Sequence, residues 1–283
     1  GRGWHAAGVT GVGRDRDPTR YRPSSVSAPP SHLPPGEGQE IKEGVFEMLF
    51  FYANPVLIAA AVLPAIFLLI QINKADKLDR EPPGMILNLV FWGAVSTALA
   101  VYTERLGTTV LDALWPEDSL IYRLLMYFVV VGLSEEGFKY LLLRRHSWNS
   151  PYFNCQFDGV VYAVSVGLGF ALWENIDYVV MYGLGTALVR AMTAVPGHAC
   201  FGVFMGAFYG MARRYENYGF SRASKNCRRL AVLVPTVLHG IYDFIATSET
   251  TSAQWGFLAF VAVLFLITSR MVRKLSDRDA YIA

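Results

Sequence analysis

The sequence has few charged side chains and few cysteines for its length. Only 17% of its 283 residues are charged, against about 25% in a typical soluble domain. Its three cysteines are odd in number and widely spaced, which excludes a disulfide framework and a paired zinc motif. It lacks a basic stripe with interleaved aromatic residues, so we expect no nucleic-acid partner. The pattern H-E-x-x-H is also absent.

Long apolar runs make up most of the chain. Hydrophobic residues account for 53% of the sequence, and the mean hydropathy is +0.31. Because about 20 apolar residues suffice for a helix to cross the hydrocarbon core, the pattern predicts an all-α, polytopic membrane helical bundle in the lipid bilayer. We expect about seven transmembrane helices, with eight as the alternative. The predicted spans are 47–71, 85–103, 121–143, 157–182, 187–211, 230–247 and 254–272.

Composition divides the chain into three parts. Residues 1–44 are rich in Pro, Ser, Gly and Arg and are predicted to be disordered. Residues 45–274 form the predicted helical domain, and 275–283 a C-terminal tail.

Basic residues orient the predicted bundle. Lys and Arg concentrate after the first, third and fifth spans and at the C-terminus, as Lys74, Lys77, Arg80, Arg144, Arg145, Arg213, Arg214, Arg222, Lys225, Arg228, Arg229, Arg273, Lys274 and Arg278. The positive-inside rule then predicts a cytoplasmic C-terminus and, with seven spans, an external N-terminus. An eighth helix, or a first span that does not cross fully, would reverse the second expectation.

The third predicted span carries charges that are expensive in a bilayer. Glu135 and Glu136 lie about 12 Å from its cytoplasmic end at 1.5 Å per residue. A central charge costs about 2.5–3.5 kcal/mol even on the lenient insertion scale. Lys139 is spaced to pair with either glutamate. An internal ion pair that locks helix packing explains this motif as well as a functional role does.

Further polar side chains occur in the fourth span. Asp158 lies at its entry, and Glu174 and Asn175 follow deeper in the span. Glu174 is a second intramembrane carboxylate, nearer the outer face than the other polar positions. A hydrogen-bonded packing role is the simpler interpretation of that residue.

The fifth and sixth spans add two histidines. His198 is followed by a ridge of glycines at intervals of four from Gly202 to Gly210, typical of a helix-contact surface. It shares the face of Gly202 and therefore points into the bundle. His239 and Asp243 are four residues apart on one helical face. That spacing suits two ligands of one metal ion, or a carboxylate that fixes the tautomer of its histidine.

Three functions fit acidic and imidazole groups inside a bundle. A membrane enzyme is one, and a proton- or ion-coupled transporter or channel is the alternative. Inverted repeats between two halves would favour the transporter, and we find no convincing halves. A scaffold held by ion pairs is the third.

Five segments, taken in order, resemble the motifs of one family. They are "DKLDREPP", "SEEGFKY", "FDGVVYAVSVGLGFALWENI", "PGHACFG" and "HGIYDF". Together they resemble the PrsW-type intramembrane proteases, which are related to the superfamily of CAAX prenyl endopeptidases and bacteriocin-processing enzymes. The similarity runs from about Asp76 to Phe244, and residues 1–44 fall outside it.

The resemblance implies a multi-pass protease of the bacterial cytoplasmic (inner) membrane. Its expected partner is a membrane-anchored protein substrate similar to the anti-sigma factors of envelope-stress signalling. The catalytic positions carried over by motif are Glu135, Glu136, Glu174, His198, His239 and Asp243. The supporting positions are Lys139, Asn175 and Asp158.

Two versions of the chemistry remain open. In the glutamate version, Glu135 or Glu136 activates water, His198 and His239 stabilise the oxyanion, and Asp243 orients His239. In the metal version, His198, His239 and a carboxylate such as Asp243 hold zinc. We favour the glutamate version and keep zinc as the alternative.

Overall fold

A computed structural model describes residues 54–248 and 250–282. The predicted tail 1–44 and the start of the first predicted span lie outside this part of the chain. The helices are α1 (Pro55–Ala75), α2 (Pro83–Leu114), α3 (Leu120–Leu125), α4 (Gly132–Ser147), α5 (Asp158–Met192), α6 (Ala194–Asn217), α7 (Ser221–Ala246) and α8 (Thr251–Asp277). A π-helical segment, Met126–Val131, joins α3 to α4. Apart from one isolated bridge, the described residues contain no strand, which confirms the all-α prediction for them.

The number of spans is only partly resolved. Among the described residues, five helical stretches are long and apolar enough to cross a membrane: Pro55–Ala75, Pro83–Leu114, Asp158–Asn217, Ser221–Ala246 and Thr251–Asp277. The third of these comprises both α5 and α6. The predicted span 121–143 corresponds to α3, the π-helical segment and α4, and does not meet that criterion. The total of seven or eight therefore stays a prediction.

The helix α5 ends differently from the sequence prediction. Gly183 has a φ of 76°, in the left-handed region that glycine adopts at least cost. Residues 184–192 continue as helix after this break and turn back, so that Arg190 reaches Glu174. The predicted fifth span began at 187, whereas α6 begins at Ala194. The end of α5 after Gly183 thus contributes Arg190 to the interior.

Small residues let α5 and α6 pack closely. A Cβ atom at Gly202 would stand 2.9 Å from the Cα of Val164, and one at Gly159 would stand 2.6 Å from the backbone nitrogen of Gly210. Gly206 meets the backbone of Gly159 in the same way. The predicted glycine ridge is therefore confirmed as a helix-contact surface.

The outer faces of the bundle are apolar. Large hydrophobic side chains are exposed along α1, including Leu63 and Phe67, and along α8, including Val263 and Phe265. In water such surfaces would promote association, whereas lipid solvates them. The exposed faces are consistent with membrane surroundings.

One end of the bundle, here called the basic end, collects the loops rich in Lys and Arg. The C-terminal segment folds back onto it, because the backbone nitrogen of Ile282 donates to the carbonyl of Asn154 at 2.7 Å. Two acidic side chains of the α1–α2 connection are buried there. Burial raises the pKa of Asp76 to about 6 and that of Glu81 to about 7.

Candidate active site

Five side chains from α4, α6 and α7 meet inside the bundle. This central cluster consists of Glu135, Glu136, Lys139, His198 and His239. Each is at most 5% exposed. The charges of α4 therefore point inward rather than toward lipid or water.

The π-helical segment and a glycine allow α4 to bury this many polar groups. A π-helical turn adds a residue to the helical repeat and rotates the residues after it, and such turns are frequent at functional sites. At Gly132, an added Cβ would stand 3.0 Å from the carbonyl oxygen of Thr236 on α7. The start of α4 thus lies directly against the helix that carries His239, which brings the two polar helices within hydrogen-bonding reach.

Lys139 holds the cluster together. Its Nζ donates to Glu136 Oε1 at 2.7 Å and to Glu135 Oε2 at 3.2 Å, and lies 3.1 Å from His198 Nδ1. It also stands 3.8 Å above the centre of the Phe170 ring. An ammonium has three donors, and three acceptors surround this one. A buried charge is tolerated where it is fully paired in this manner.

His239 lies between carboxylates. Its Nδ1 is 3.0 Å from Glu136 Oε1 and 3.7 Å from Glu135 Oε2, and its Nε2 is 3.5 Å from Asp243 Oδ2. The ring stacks on Phe201 with centroids 4.9 Å apart. Stacking and the Glu136 contact together fix the orientation of the imidazole.

A second chain of contacts fixes His198. Since the Lys139 ammonium can only donate, Nδ1 of His198 accepts and its Nε2–H donates to Glu174 Oε2 at 2.8 Å. Glu174 in turn pairs with Arg190 at 2.9 Å. Both ring nitrogens of His198 are therefore occupied by charged partners.

The structure brings together all six predicted catalytic positions and Lys139. The two remaining supporting positions lie elsewhere. Asn175 donates to the carbonyl of Ala61 on α1 at 2.7 Å and accepts from Arg190 at 3.1 Å, so it ties α1 to α5. Asp158 is 16 residues before Glu174 on α5, about 24 Å away along the helix, at the basic end.

Two side chains at the site were missed by sequence reasoning. Arg190 was assigned to the apolar fifth span, although a lone arginine there is itself a signal that it has a partner. Glu104 lay just beyond the predicted end of the second span, but α2 continues to Leu114 and buries it to 2% exposure. Its charge is close enough to interact with that of Glu135.

A cavity adjoins the cluster. It has a volume of about 260 Å³, and its walls come from α5, α6, α7 and α8. The polar groups that line it are Glu174, Arg190, His198, His239 and Asp243, with Thr186, Thr193, Tyr178 and Tyr242. Since one water takes up about 30 Å³ of liquid volume, the cavity is large enough for several waters or for part of an extended peptide.

The cluster also has the donors of a metal site. One ligand atom each from Glu135, Glu136, His198 and His239 lies within 4.8 Å of the others. Imidazole nitrogens and carboxylate oxygens are suitable ligands for zinc and related ions. The Lys139 ammonium already lies among these side chains, so a metal ion would have to take over its contacts. The four side chains therefore suit a metal ion, provided that the ion displaces the Lys139 ammonium. The set contains Glu135 and Glu136, whereas the predicted metal site contained Asp243.

These features define a class: a helical membrane protein whose interior holds an acid and imidazole site beside a cavity, as an intramembrane hydrolase requires. A model described as "PrsW family intramembrane metalloprotease" matches residues 81–269. This is about two thirds of the chain, and the chain belongs to that family. All residues of the central cluster fall within the match.

Individual relatives agree with the family match. The chain is 32% identical over 218 residues to Protease PrsW of Bacillus subtilis (strain 168), which covers 77% of this chain and 94% of that protein. It is 32% identical to Protease PrsW of Oceanobacillus iheyensis, covering 74% and 87%. It is 30% identical to the protein of that name from Clostridioides difficile (strain 630), covering 77% and 90%. No solved structure matches the chain.

The comparisons confirm the family resemblance drawn from the five motifs. They support an intramembrane peptidase, and they favour that function over the transporter. Bacterial relatives and helices apolar enough to cross a membrane indicate a bacterial membrane protein.

Proposed function

We propose that this chain hydrolyses a peptide bond of a membrane-anchored protein in the bacterial inner membrane, with the central cluster as its active site. The observation that carries the proposal is the meeting of two glutamates, two histidines and a lysine beside a cavity whose lining includes Glu174, Arg190 and Asp243. The proposed substrate class is a regulatory membrane protein similar to the anti-sigma factors.

Water is the nucleophile that suits this site. Peptide hydrolysis needs a base for the water, donors for the oxyanion and a proton for the leaving amine. Glu135 is the better base of the pair, because its contacts with Lys139 at 3.2 Å and His239 at 3.7 Å are long. Glu136 accepts from Lys139 at 2.7 Å and contacts His239 at 3.0 Å, which gives it a positioning role.

The imidazoles would act on the substrate carbonyl. His198 and His239 both line the cavity, with ring centroids 5.4 Å apart. His239 is the freer donor, because Glu136 holds its Nδ1 at 3.0 Å while its Nε2 lies 3.5 Å from Asp243 Oδ2. His198 would have to release Glu174 before its Nε2–H could donate to the substrate. A donor whose orientation is fixed in advance stabilises a developing negative charge at little cost in rearrangement.

A divalent metal fits the same residues. His198, His239 and one glutamate of the pair would hold it, and a bound metal would supply Lewis acidity toward the carbonyl and an acidified water. In the structure, Glu174 holds His198 and Glu136 holds His239 in orientation. Metal analysis of the purified protein before and after chelation separates the two versions. Loss of stoichiometric metal together with activity supports the metal version, and full activity in metal-free protein supports the glutamate version.

Co-expression with tagged single-span membrane proteins of the anti-sigma class tests the function. We expect cleavage fragments with the native chain and none with Glu135→Gln or Glu136→Gln at equal levels of folded protein. Asp277→Asn is the matched control, because Asp277 is exposed and pairs with Lys77 at the surface. Fragments from both glutamine variants at the native level would refute the proposed site.

A further inference from the structure

A second group of acidic side chains lies at the basic end, away from the central cluster. This terminal acidic cluster comprises Asp76 and Glu81 from the α1–α2 connection, Asp158 from the start of α5, and Asp279 from the C-terminal segment. Asp76 is close enough to Asp158 and Asp279 for their charges to interact. Three segments distant in sequence thus contribute carboxylates to one place.

These carboxylates are buried with bare oxygens. Asp76 is 1% exposed, Asp158 is 0% exposed and Glu81 is 9% exposed. Within the described part of the chain, both oxygens of Asp76, Oδ1 of Asp158, Oδ2 of Asp279 and Oε2 of Glu81 are buried without a hydrogen-bond partner. The side-chain oxygen of Asn154 is likewise buried without a hydrogen-bond partner. Buried polar groups without partners are rare in native proteins, and each one needs an explanation.

The backbone holds two of the carboxylates with one oxygen free. Asp158 Oδ2 accepts from the backbone nitrogens of Asn154 at 3.0 Å and Cys155 at 2.6 Å. Asp279 Oδ1 accepts from those of Phe157 at 2.8 Å and Ala280 at 2.9 Å. One oxygen from each of these two aspartates and the sulfur of Cys155 lie within 4.8 Å of one another. The anchored oxygens orient the side chains, and the second oxygens remain available to a ligand.

Nearby cations do not neutralise the cluster. Arg80 donates to the backbone carbonyl of Asp76 at 3.4 Å rather than to its carboxylate. Lys77 pairs with Asp277 at the surface, and Arg214 donates to Gln156. Among residues 54–248 and 250–282, no basic side chain forms an ion pair with any of the four carboxylates. Helix α5 offers Asp158 a favourable N-terminus. Near Asp76, the backbone N–H of Asp79 and the charge of Arg80 do not offset burial and the neighbouring carboxylates.

We propose that the terminal acidic cluster binds a divalent cation that prefers oxygen ligands, Mg²⁺ or Ca²⁺. Buried carboxylate and amide oxygens are the ligands that these hard cations take, and oxygen atoms outnumber the single thiol of Cys155. A bound cation would join the α1–α2 connection and the C-terminal segment to the start of α5. The site would therefore fasten the basic end of the bundle, separately from any metal in the central cluster.

Binding of Mn²⁺, a paramagnetic substitute for Mg²⁺, tests the site directly on the full chain in detergent. We expect one Mn²⁺ detected by electron paramagnetic resonance that Mg²⁺ or Ca²⁺ displaces. Asp76→Asn and Asp158→Asn should lose it, whereas Asp277→Asn, a surface carboxylate at the same end, should keep it. Glu136→Gln should also keep it, which distinguishes this site from the central cluster and makes the result independent of peptidase activity.

Thermal unfolding gives a second readout that a purely structural role would not produce. A ligand that binds only the folded state raises Tm with concentration, so Mg²⁺ or Ca²⁺ should raise the Tm of the native chain at constant ionic strength. Asp76→Asn removes a charge but no hydrogen bond, so it should raise the cation-free Tm and abolish the response. Asp76→Asn also keeps the test of the site possible if Asp158→Asn fails to fold.

Three results would overturn the proposal. One is that the native chain binds no Mn²⁺ and that its Tm does not change with Mg²⁺ or Ca²⁺. Another is binding that persists in both asparagine variants. The third is a response confined to Zn²⁺ and lost in Cys155→Ser, which would assign the site to a thiol ligand instead.

Discussion

The two acidic clusters of this bundle differ in how their charge is balanced. In the central cluster, Lys139 lies within 3.2 Å of both Glu135 and Glu136, and beside it Arg190 lies 2.9 Å from Glu174. In the terminal acidic cluster, buried oxygens of Asp76, Asp158, Asp279 and Glu81 lack partners among the described residues. The first group pairs its glutamates with a lysine of its own beside a cavity, which suits chemistry. The second group requires positive charge that its neighbouring side chains do not supply, which suits a bound cation.

Removing one charge should therefore have opposite effects in the two places. Lys139→Met leaves two buried carboxylates without their cation, and we expect a loss of about 3–5 kcal/mol of stability, as when one partner of a buried pair is removed. Thermal unfolding and the yield of folded protein in detergent measure it. The matched control is Lys77→Met at the surface, where an exposed pair contributes about 0–1 kcal/mol. Equal, small effects of the two changes would mean that Lys139 does not balance the cluster.

Glu174→Gln tests whether Glu174, which contacts His198 of the central cluster, positions that histidine or binds substrate. The change weakens the contacts of Glu174 with His198 and Arg190, and we expect kcat to fall about 10- to 100-fold, the range found when the carboxylate partner of a functional histidine is lost. KM should change little if Glu174 acts through His198 rather than on the substrate. Steady-state kinetics in detergent or liposomes measure both. Asp177→Asn, an exposed carboxylate three residues further along α5, should leave kcat unchanged. A rise in KM alone would place Glu174 in substrate binding.

Gly206→Ala tests the helix contact that connects the two regions. Its Cβ would meet the backbone of Gly159, near Asp158 and the terminal acidic cluster, while α6 carries His198 into the central one. We expect a loss of about 1–3 kcal/mol from overpacking, measured by thermal unfolding. Gly256→Ala on α8 is the control, because nothing lies within 4 Å of an added Cβ there. The contact would be looser than the structure indicates if both variants unfolded at the native temperature.

Asp76→Asn should give the smallest effect, with the opposite sign to Lys139→Met. In cation-free buffer we expect a gain of about 1 kcal/mol, the order of the repulsion between two charges about 4 Å apart in water. Thermal unfolding in detergent measures this gain. A loss of stability without cation would show that the Asp76 carboxylate has a stabilising partner, and the contrast between the two clusters would fail.

The sequence predicts the central cluster better than its surroundings. Glu135, Glu136 and Lys139 stand out because charge in an apolar run demands a buried partner, and His239 and Asp243 share a face because they are four apart. Helical spacing is a local property, so it can be read from the chain. The same holds for the glycine ridge of α6.

The missed features depend on contacts distant along the chain. Arg190 reaches Glu174 only because the chain turns back at Gly183, and Glu104 enters the site only because α2 extends past the predicted end of its span. The inward rotation of α4 depends on a π-helical segment that hydropathy does not reveal. Asp158 was predicted by motif as a supporting position of the site, yet α5 is long enough to carry it to the other end of the bundle.

Single-turnover cleavage in proteoliposomes tests most directly whether the central cluster is the active site. The native chain, Glu135→Gln and Asp277→Asn would be reconstituted at equal amounts of folded protein with a tagged single-span substrate identified by co-expression. We predict that Glu135→Gln slows cleavage by about 10²- to 10⁴-fold, the usual contribution of a general base, while Asp277→Asn cleaves at the native rate. Cleavage by Glu135→Gln at the native rate would contradict the assignment.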